Sequence, residues 1–162
     1  MTVIYRYGES HGSSDNEKRD EYLRSTKLNA FTALHVFFYK LSGGRIGGRF
    51  RGARVLLLST TSRKTGKRRT SPLLYIIDGK NLAVVASNGG RDSYPSWWTN
   101  LKKSPDAEIQ IKKEKKKVTA EQASDDEKER LWPLLTRMYP TYDDYQKKTT
   151  RKIPVVVLKP TI

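Results

Sequence analysis

The sequence predicts an α+β, mainly β fold: a small barrel-like sheet of about six mostly antiparallel strands, with short helices between them and a helical lead in front. Three observations carry that expectation. Runs rich in Val, Leu, Ile and Thr recur at short intervals and are separated by turn residues. No helical stretch alternates with them as parallel βαβ units require. The final run, "IPVVVLKP", pairs back into a sheet already made.

The elements follow in order. Residues 1–27 are polar and interrupted by Ser and Gly, which reads as a mobile arm that turns helical near Glu17 to Leu28; the domain proper occupies 28–162. Asn29 is placed to cap a helix whose Phe31, Leu34, Phe38 and Leu41 recur at helical spacing as a core stripe, and Gly43-Gly44 ends it. "GGRIGGRFRG" reads as a glycine-rich connector, without the flanking strand and helix of a dinucleotide fingerprint. "RVLLLSTT" and "TSPLLYII" are strands around a basic turn, "DGK" is a tight hairpin, and "NLAVVAS" is the next strand. "NGG" breaks the meander, and "YPSWWTNLKKSP" holds a short helix begun at Pro95. "AEIQIKK" and "KKKVTAEQA" alternate around Glu114 as a basic hairpin whose lysines guard an edge. Ser124 caps "SDDEKERLWPLLTRMYP", in which Pro133 implies a kink or early break. "TYDDYQKKTTRK" is one more short helix.

At 162 residues and 36% apolar content, the chain suffices for one core. It has no cysteine and two distant histidines, His11 and His35, so thiolate metal sites, disulfides and cysteine nucleophiles are out and no metal is expected. The cysteine-free composition suits a cytoplasmic protein. "FTALHVFFYKL" falls short of the ~20 apolar residues of a membrane span. The net charge of +15 calls for an anionic ligand or partner, or else for a solvated lysine-rich surface.

The basic turn "TTSRKTGKRRTSP" focuses that question. Thr61 stands where a phosphate-binding nucleotide loop needs glycine, and Arg68 where it needs Ser or Thr after Gly66-Lys67, so that loop is excluded. What remains is a strand-turn-strand element in which Gly66 permits a tight reversal. Its backbone N–H groups, the Thr61 and Ser62 hydroxyls and guanidinium forks converge as a phosphate requires. Basic residues interleaved with Tyr and Trp equally suit nucleic acid, so a nucleic-acid module stays open on composition alone.

"VLLLSTTSRKTGKRRTSPLLYI", "VVASNGGRDSYPSWWTNLKKSP", "MYPTYDDYQ" and "IPVVVLKP", with the lead "YKLSGGRIGGRFRG", closely resemble the deazaflavin-dependent nitroreductase family of actinobacteria. The resemblance runs from about Phe31 to Pro160. It implies a split β-barrel of the FMN-binding type and, as cofactor, coenzyme F420, an 8-hydroxy-5-deazaflavin with a phosphodiester, a lactyl group and a poly-glutamate tail. It also implies roles. Arg63, Lys64 and Arg69 would grip phosphate and tail, with Thr60, Thr61, Ser62 and Gly66 setting the turn; Lys67 and Arg68 are read as surface charges. Ser87, Asn88 and Gly89 would meet the ring and phosphate region, Asn88 replacing a lysine of some members, with the tail shared by Lys102. Trp97 and Asn100 would pack on and orient the ring, whereas Trp98 is as well explained as core.

The implied reaction is hydride transfer from reduced deazaflavin to a quinone of the menaquinone type, with nitroaromatic compounds as adventitious acceptors. Tyr139, Tyr142 and Tyr145, three apart, are expected on one helical face lining the acceptor pocket. Ser87 is expected to bond the reacting oxygen or to sit on a proton path. Leu74 stands where a nitroimidazole-activating relative has tyrosine. A membrane quinone would bring the chain to the inner face of the plasma membrane as a peripheral protein. An FMN-dependent enzyme of the same barrel is the other chemical reading, and a carrier that holds the deazaflavin without turnover is a further one.

Overall fold

The computed structural model describes residues 13–161. One helix, α1 (Ser13–Ser42), leads into eight strands: β1 (Arg49–Phe50), β2 (Ala53–Thr61), β3 (Arg68–Leu74), β4 (Ile76–Asp78), β5 (Asn81–Val85), β6 (Asp106–Ile111), β7 (Glu114–Gln122) and β8 (Val155–Pro160). A 3-10 turn (Asn88–Gly90) and α2 (Ser96–Lys103) lie between β5 and β6, and α3 (Asp125–Met138) and α4 (Thr141–Lys148) between β7 and β8. All pairings are antiparallel, in the order β1-β2-β6-β7-β8-β5-β4, and β3 pairs with β2.

This order makes the sheet curl. β3 lies against β2 near one end of the sheet and β4 against β5 at the other, yet only Tyr75 separates the two strands in sequence. A flat sheet of this width cannot have its ends one residue apart, so it rolls into a half-barrel. Residues then sort by the period of two. Leu56, Leu58, Tyr75, Leu82, Ile109, Val118, Val156 and Leu158 fill the interior with Trp97, Trp98 and Leu101 of α2. Ala83, Val85, Val155 and Val157 face outward beneath Leu131, Leu135 and Tyr142 of α3 and α4. Val55 and Leu57 pack under Tyr39 of α1.

Local chemistry explains most boundaries. Ser124 accepts from the Glu127 N–H while the Glu127 carboxylate accepts from the Ser124 N–H, a complete capping box for α3. Arg130 holds Asp78 in a fork of two 2.8 Å bonds, which ties α3 to the β4–β5 hairpin and keeps the Asp78 carboxyl below its ordinary range. The last turn of α1 is anchored by Tyr39, whose buried hydroxyl donates to the Val55 carbonyl (3.1 Å) and accepts from the Lys112 N–H (2.9 Å). Burial raises the Tyr39 pKa. Gly44 must be glycine here: a Cβ would stand 2.7 Å from the Lys112 Cα, and φ is +79°.

Several expectations change. Asn29 starts no helix, because α1 already runs through it from Ser13; residues 1–12 of the expected arm lie outside the described residues. Phe31, Leu34, Phe38 and Leu41 are not core but 40–73% exposed; Val36 and Tyr39, on another face of the same helix, meet the sheet instead. The connector contains strand β1, and eight strands replace about six. Pro133 breaks nothing: α3 runs through it, with the ring on the exposed side of the helix.

Candidate active site

The basic turn joins β2 to β3 and is braced from α2. Within it, the Ser62 N–H donates to the Lys67 carbonyl and the Gly66 N–H to the Ser62 carbonyl, both at 2.8 Å. Gly66 has φ +68° and open space around it. Asn100, 4% exposed, is the brace. Its Oδ1 accepts from the Arg63 N–H (3.1 Å) and its Nδ2 donates to the Thr60 hydroxyl (3.1 Å). Arg63 also donates to the Thr99 hydroxyl (2.7 Å). Thr60 and Asn100 therefore spend their polar atoms on each other and on the backbone, positioning the turn.

Charge on the turn is left over. Arg68 of β3 pairs with Glu108 of β6, whereas Arg63, Lys64, Lys67 and Arg69 have no acid within 4 Å among the described residues. Four cations without an acid concentrate positive charge on the turn. Arg68 is 58% exposed at its side chain and spends its charge on Glu108.

The loop after β5 is fastened by a residue that sequence reasoning missed. Arg151 donates to the Ser87 carbonyl and to the Arg91 carbonyl, both at 2.8 Å, and its guanidinium lies 4.8 Å from the centroid of Tyr94. Lys102 lies over the same ring, also at 4.8 Å. Asn88 adopts φ +49°, and its Nδ2 donates to the Ser93 carbonyl at 3.0 Å. Gly89 is exposed, and its Cβ would meet nothing. Gly90 is the contact point with α4, where a Cβ would approach the Tyr145 carbonyl to 2.8 Å. The Ser87 hydroxyl makes no hydrogen bond to a described residue.

Three tyrosines complete the arrangement, though not on one helix. Tyr139 is the C-cap of α3, and Pro140 then starts α4, which carries Tyr142 and Tyr145. The rings still cluster, at 5.0 Å for Tyr139–Tyr142 and 6.4 Å for Tyr139–Tyr145 and Tyr142–Tyr145. Phe50 of β1 joins them, 6.2 Å from Tyr139, and Leu74 packs on the same cluster. Tyr142 is buried beneath the other two, and that burial raises its pKa. Tyr145 is pushed up to about 12 by its contact with the Tyr139 hydroxyl and by burial, while Arg51 pulls the other way. Trp97 and Trp98 are both buried, at 7% and 4% exposure, so their different expected roles find no counterpart in burial. Among the described residues no His, Cys, Asp and Glu group could hold a metal, and no helix is long and apolar enough to cross a membrane.

Comparison with known proteins bears on this site. Residues 32–160 match the family model described as F420H(2)-dependent quinone reductase. The F420H(2)-dependent quinone reductase Rv1261c of Mycobacterium tuberculosis is 43% identical over 129 residues, 77% of this chain and 87% of that one. A solved F420-H2 dependent reductase, FDR-A, superposes with a TM-score of 0.60 at 37% identity, over 65% of this chain and 93% of its own. A solved domain-swapped dimer superposes with a TM-score of 0.63 at 29% identity, over 87% of this chain and 99% of its own.

Proposed function

The chain belongs to the F420H(2)-dependent quinone reductase family and is an oxidoreductase that uses coenzyme F420, and from that premise we propose which of its residues bind the coenzyme and the quinone. The observation that carries the assignment is the set of unpaired cations on a turn held rigid by Asn100. Such a donor set suits the phosphodiester and glutamate carboxylates of the coenzyme's tail. Arg63, Lys64 and Arg69 bind them, with the Thr61 and Ser62 hydroxyls adding neutral donors. Lys102, over the Tyr94 ring that Arg151 also meets, takes the far part of the tail.

When bound, reduced coenzyme F420 supplies the hydride. The chain's task is to orient and to stabilise charge. Gly89 and Asn88 hold the loop in left-handed backbone, leaving room for a flat ring at Gly89. Trp97 supports that ring from α2. Ser87, with its hydroxyl unengaged and its backbone fixed by Arg151, donates to the oxygen on which negative charge develops. Tyr139 and Tyr145 offer phenol groups to the quinone carbonyls, and Tyr142 supports them from below. Both phenols are protonated at neutral pH, as any tyrosine is, and the upward shifts of Tyr142 and Tyr145 extend that donor state into alkaline conditions. Leu74 and Phe50 supply the apolar wall against which a quinone ring lies.

A menaquinone-type acceptor fits this aromatic lining, and nitroaromatic compounds are adventitious acceptors of the same pocket. The exposed Phe31, Leu34, Phe37 and Leu41 of α1 support peripheral contact with anionic membrane, where such a quinone resides. Flotation with anionic vesicles at low salt tests that contact, and absence of co-flotation removes it. The assignment as a whole is tested by fluorescence titration with coenzyme F420 followed by turnover of menadione. Tight binding and turnover in the wild type, both lost in Arg63→Ala/Lys64→Ala/Arg69→Ala, are expected; unchanged affinity in that variant overturns it.

A further inference from the structure

The half-barrel has a second cationic end, which the reaction above does not use. Trp97 and Trp98 belong to the packed interior. Apart from them a cavity of about 1000 Å³ is lined by Tyr75, Ile77, Leu82, Ile109 and Ile111. Arg45, Arg49 and Arg54, Lys112 and Lys113 of the β6–β7 turn, and Lys80 and Lys116 all line it. Glu114 is the one acid lining it, and it reaches Lys116 alone, at 3.7 Å.

Two details indicate that an anion belongs there. Arg49 and Arg54 are direct cross-strand partners in the β1–β2 pair, an arrangement of like charges that destabilises a sheet unless something negative lies between them. Tyr75 is only 5% exposed, lines the cavity, and makes no side-chain hydrogen bond to a described residue. Its hydroxyl is open to the cavity, not sealed in the core, and is free to donate to a ligand there. That ligand has an apolar part as well, because the lining is also aliphatic and aromatic and Ile77 is 57% exposed.

We infer that this mouth of the barrel is a second binding site, for a single-chain acidic amphiphile: an alkyl tail over Ile77, Leu82, Ile109 and Ile111, and a phosphate or carboxylate head between Arg49, Arg54 and Lys112, with Tyr75 donating to it. The site is distinct from the coenzyme's. β2 runs between them, from Arg54 at the mouth to Thr61 at the basic turn, about 23 Å at the rise of an extended strand. It also lies on the other face of the β1–β2 hairpin from Tyr139, since Phe50 faces that ring and its neighbour Arg49 points the opposite way.

Calorimetric titration of the full chain with dodecyl phosphate below its micelle concentration, with dodecanol, and with inorganic phosphate tests the inference. Dodecyl phosphate should bind one to one, and dodecanol and inorganic phosphate at least about 30-fold more weakly. Arg49→Glu/Arg54→Glu should weaken dodecyl phosphate by about 30-fold or more while coenzyme F420 affinity, read on the same preparation, stays within about twofold and so certifies the fold. Tyr75→Phe should cost about threefold to tenfold. Equal binding of inorganic phosphate, binding indifferent to the charge reversal, or competition between dodecyl phosphate and coenzyme F420 overturns the inference. So does flotation with phosphatidylglycerol vesicles without binding of the monomeric amphiphile, which marks a membrane-facing surface instead.

Discussion

The two ends of the β2–β3 hairpin are both strongly basic, and they differ in what surrounds the charge. At the turn, Arg63, Lys64 and Arg69 are framed by hydroxyls, backbone N–H groups and the buried Asn100. At the mouth, Arg49, Arg54 and Lys112 line a cavity together with Ile, Leu and Tyr. The contrast teaches that net charge alone says little about a ligand. On the two assignments proposed above, it is the neighbours of the charge that separate a site for a polyanionic tail from one for a greasy acid.

The largest expected effect separates the ends outright. Arg63→Ala/Lys64→Ala/Arg69→Ala should raise the coenzyme dissociation constant by two orders of magnitude or more at low salt, since each exposed charge-assisted contact is worth about 1 kcal/mol after screening and about 1.4 kcal/mol is tenfold. Fluorescence titration reads it, and the same variant should leave dodecyl phosphate binding unaltered. Next comes the brace. Asn100→Ala leaves the Arg63 N–H and the Thr60 hydroxyl unpaired, which should cost about 1–3 kcal/mol of stability in chemical denaturation and about tenfold in coenzyme affinity. An affinity unaffected by Asn100→Ala would mean that the turn needs no rigidity.

Tyr145→Phe sharpens the comparison at the acceptor side. Removal of one donated hydrogen bond should lower menadione kcat by about tenfold with coenzyme affinity unchanged. It also has a pH signature. The Tyr145 pKa is raised to about 12, so above pH 10, where an unfolded tyrosine ionises and the folded one does not, stability falls as pH rises. The phenylalanine variant should lose less stability between pH 10 and 12 than the parent. Turnover of the parent should show no break from this phenol between pH 6 and 9. The smallest effect is Lys67→Ala, on the exposed side of the turn, for which less than about threefold in coenzyme affinity is expected.

Periodicity made the sheet legible. "RVLLLSTT", "NLAVVAS" and "IPVVVLKP" are buried strands because each alternates or runs apolar between turn residues, and Ser124 is followed three residues later by Glu127, a local signal for a cap formed by local bonds. The basic turn was legible for the same reason. Less visible was whatever depends on partners distant in the chain. The apolar stripe Phe31, Leu34, Phe38 and Leu41 has the spacing of a buried face, yet spacing does not reveal whether anything covers it. Tyr139, Tyr142 and Tyr145 suggest one helix until Pro140 ends one and begins another; they meet because α3 and α4 fold back on each other. Arg151 sits in a short polar run, and only the folded chain brings it to the Ser87 and Arg91 carbonyls.

The single residue between β3 and β4 carries one more consequence. A roll of sheet whose seam is stitched by Tyr75 has no slack in its circumference. Adding one amino acid at that stitch would swap Ile76 and Ile77 between inside and outside and turn the whole short strand over. Length changes in related chains are therefore expected at the loops that hang from the roll, such as the Gly79 hairpin, and never at its closure.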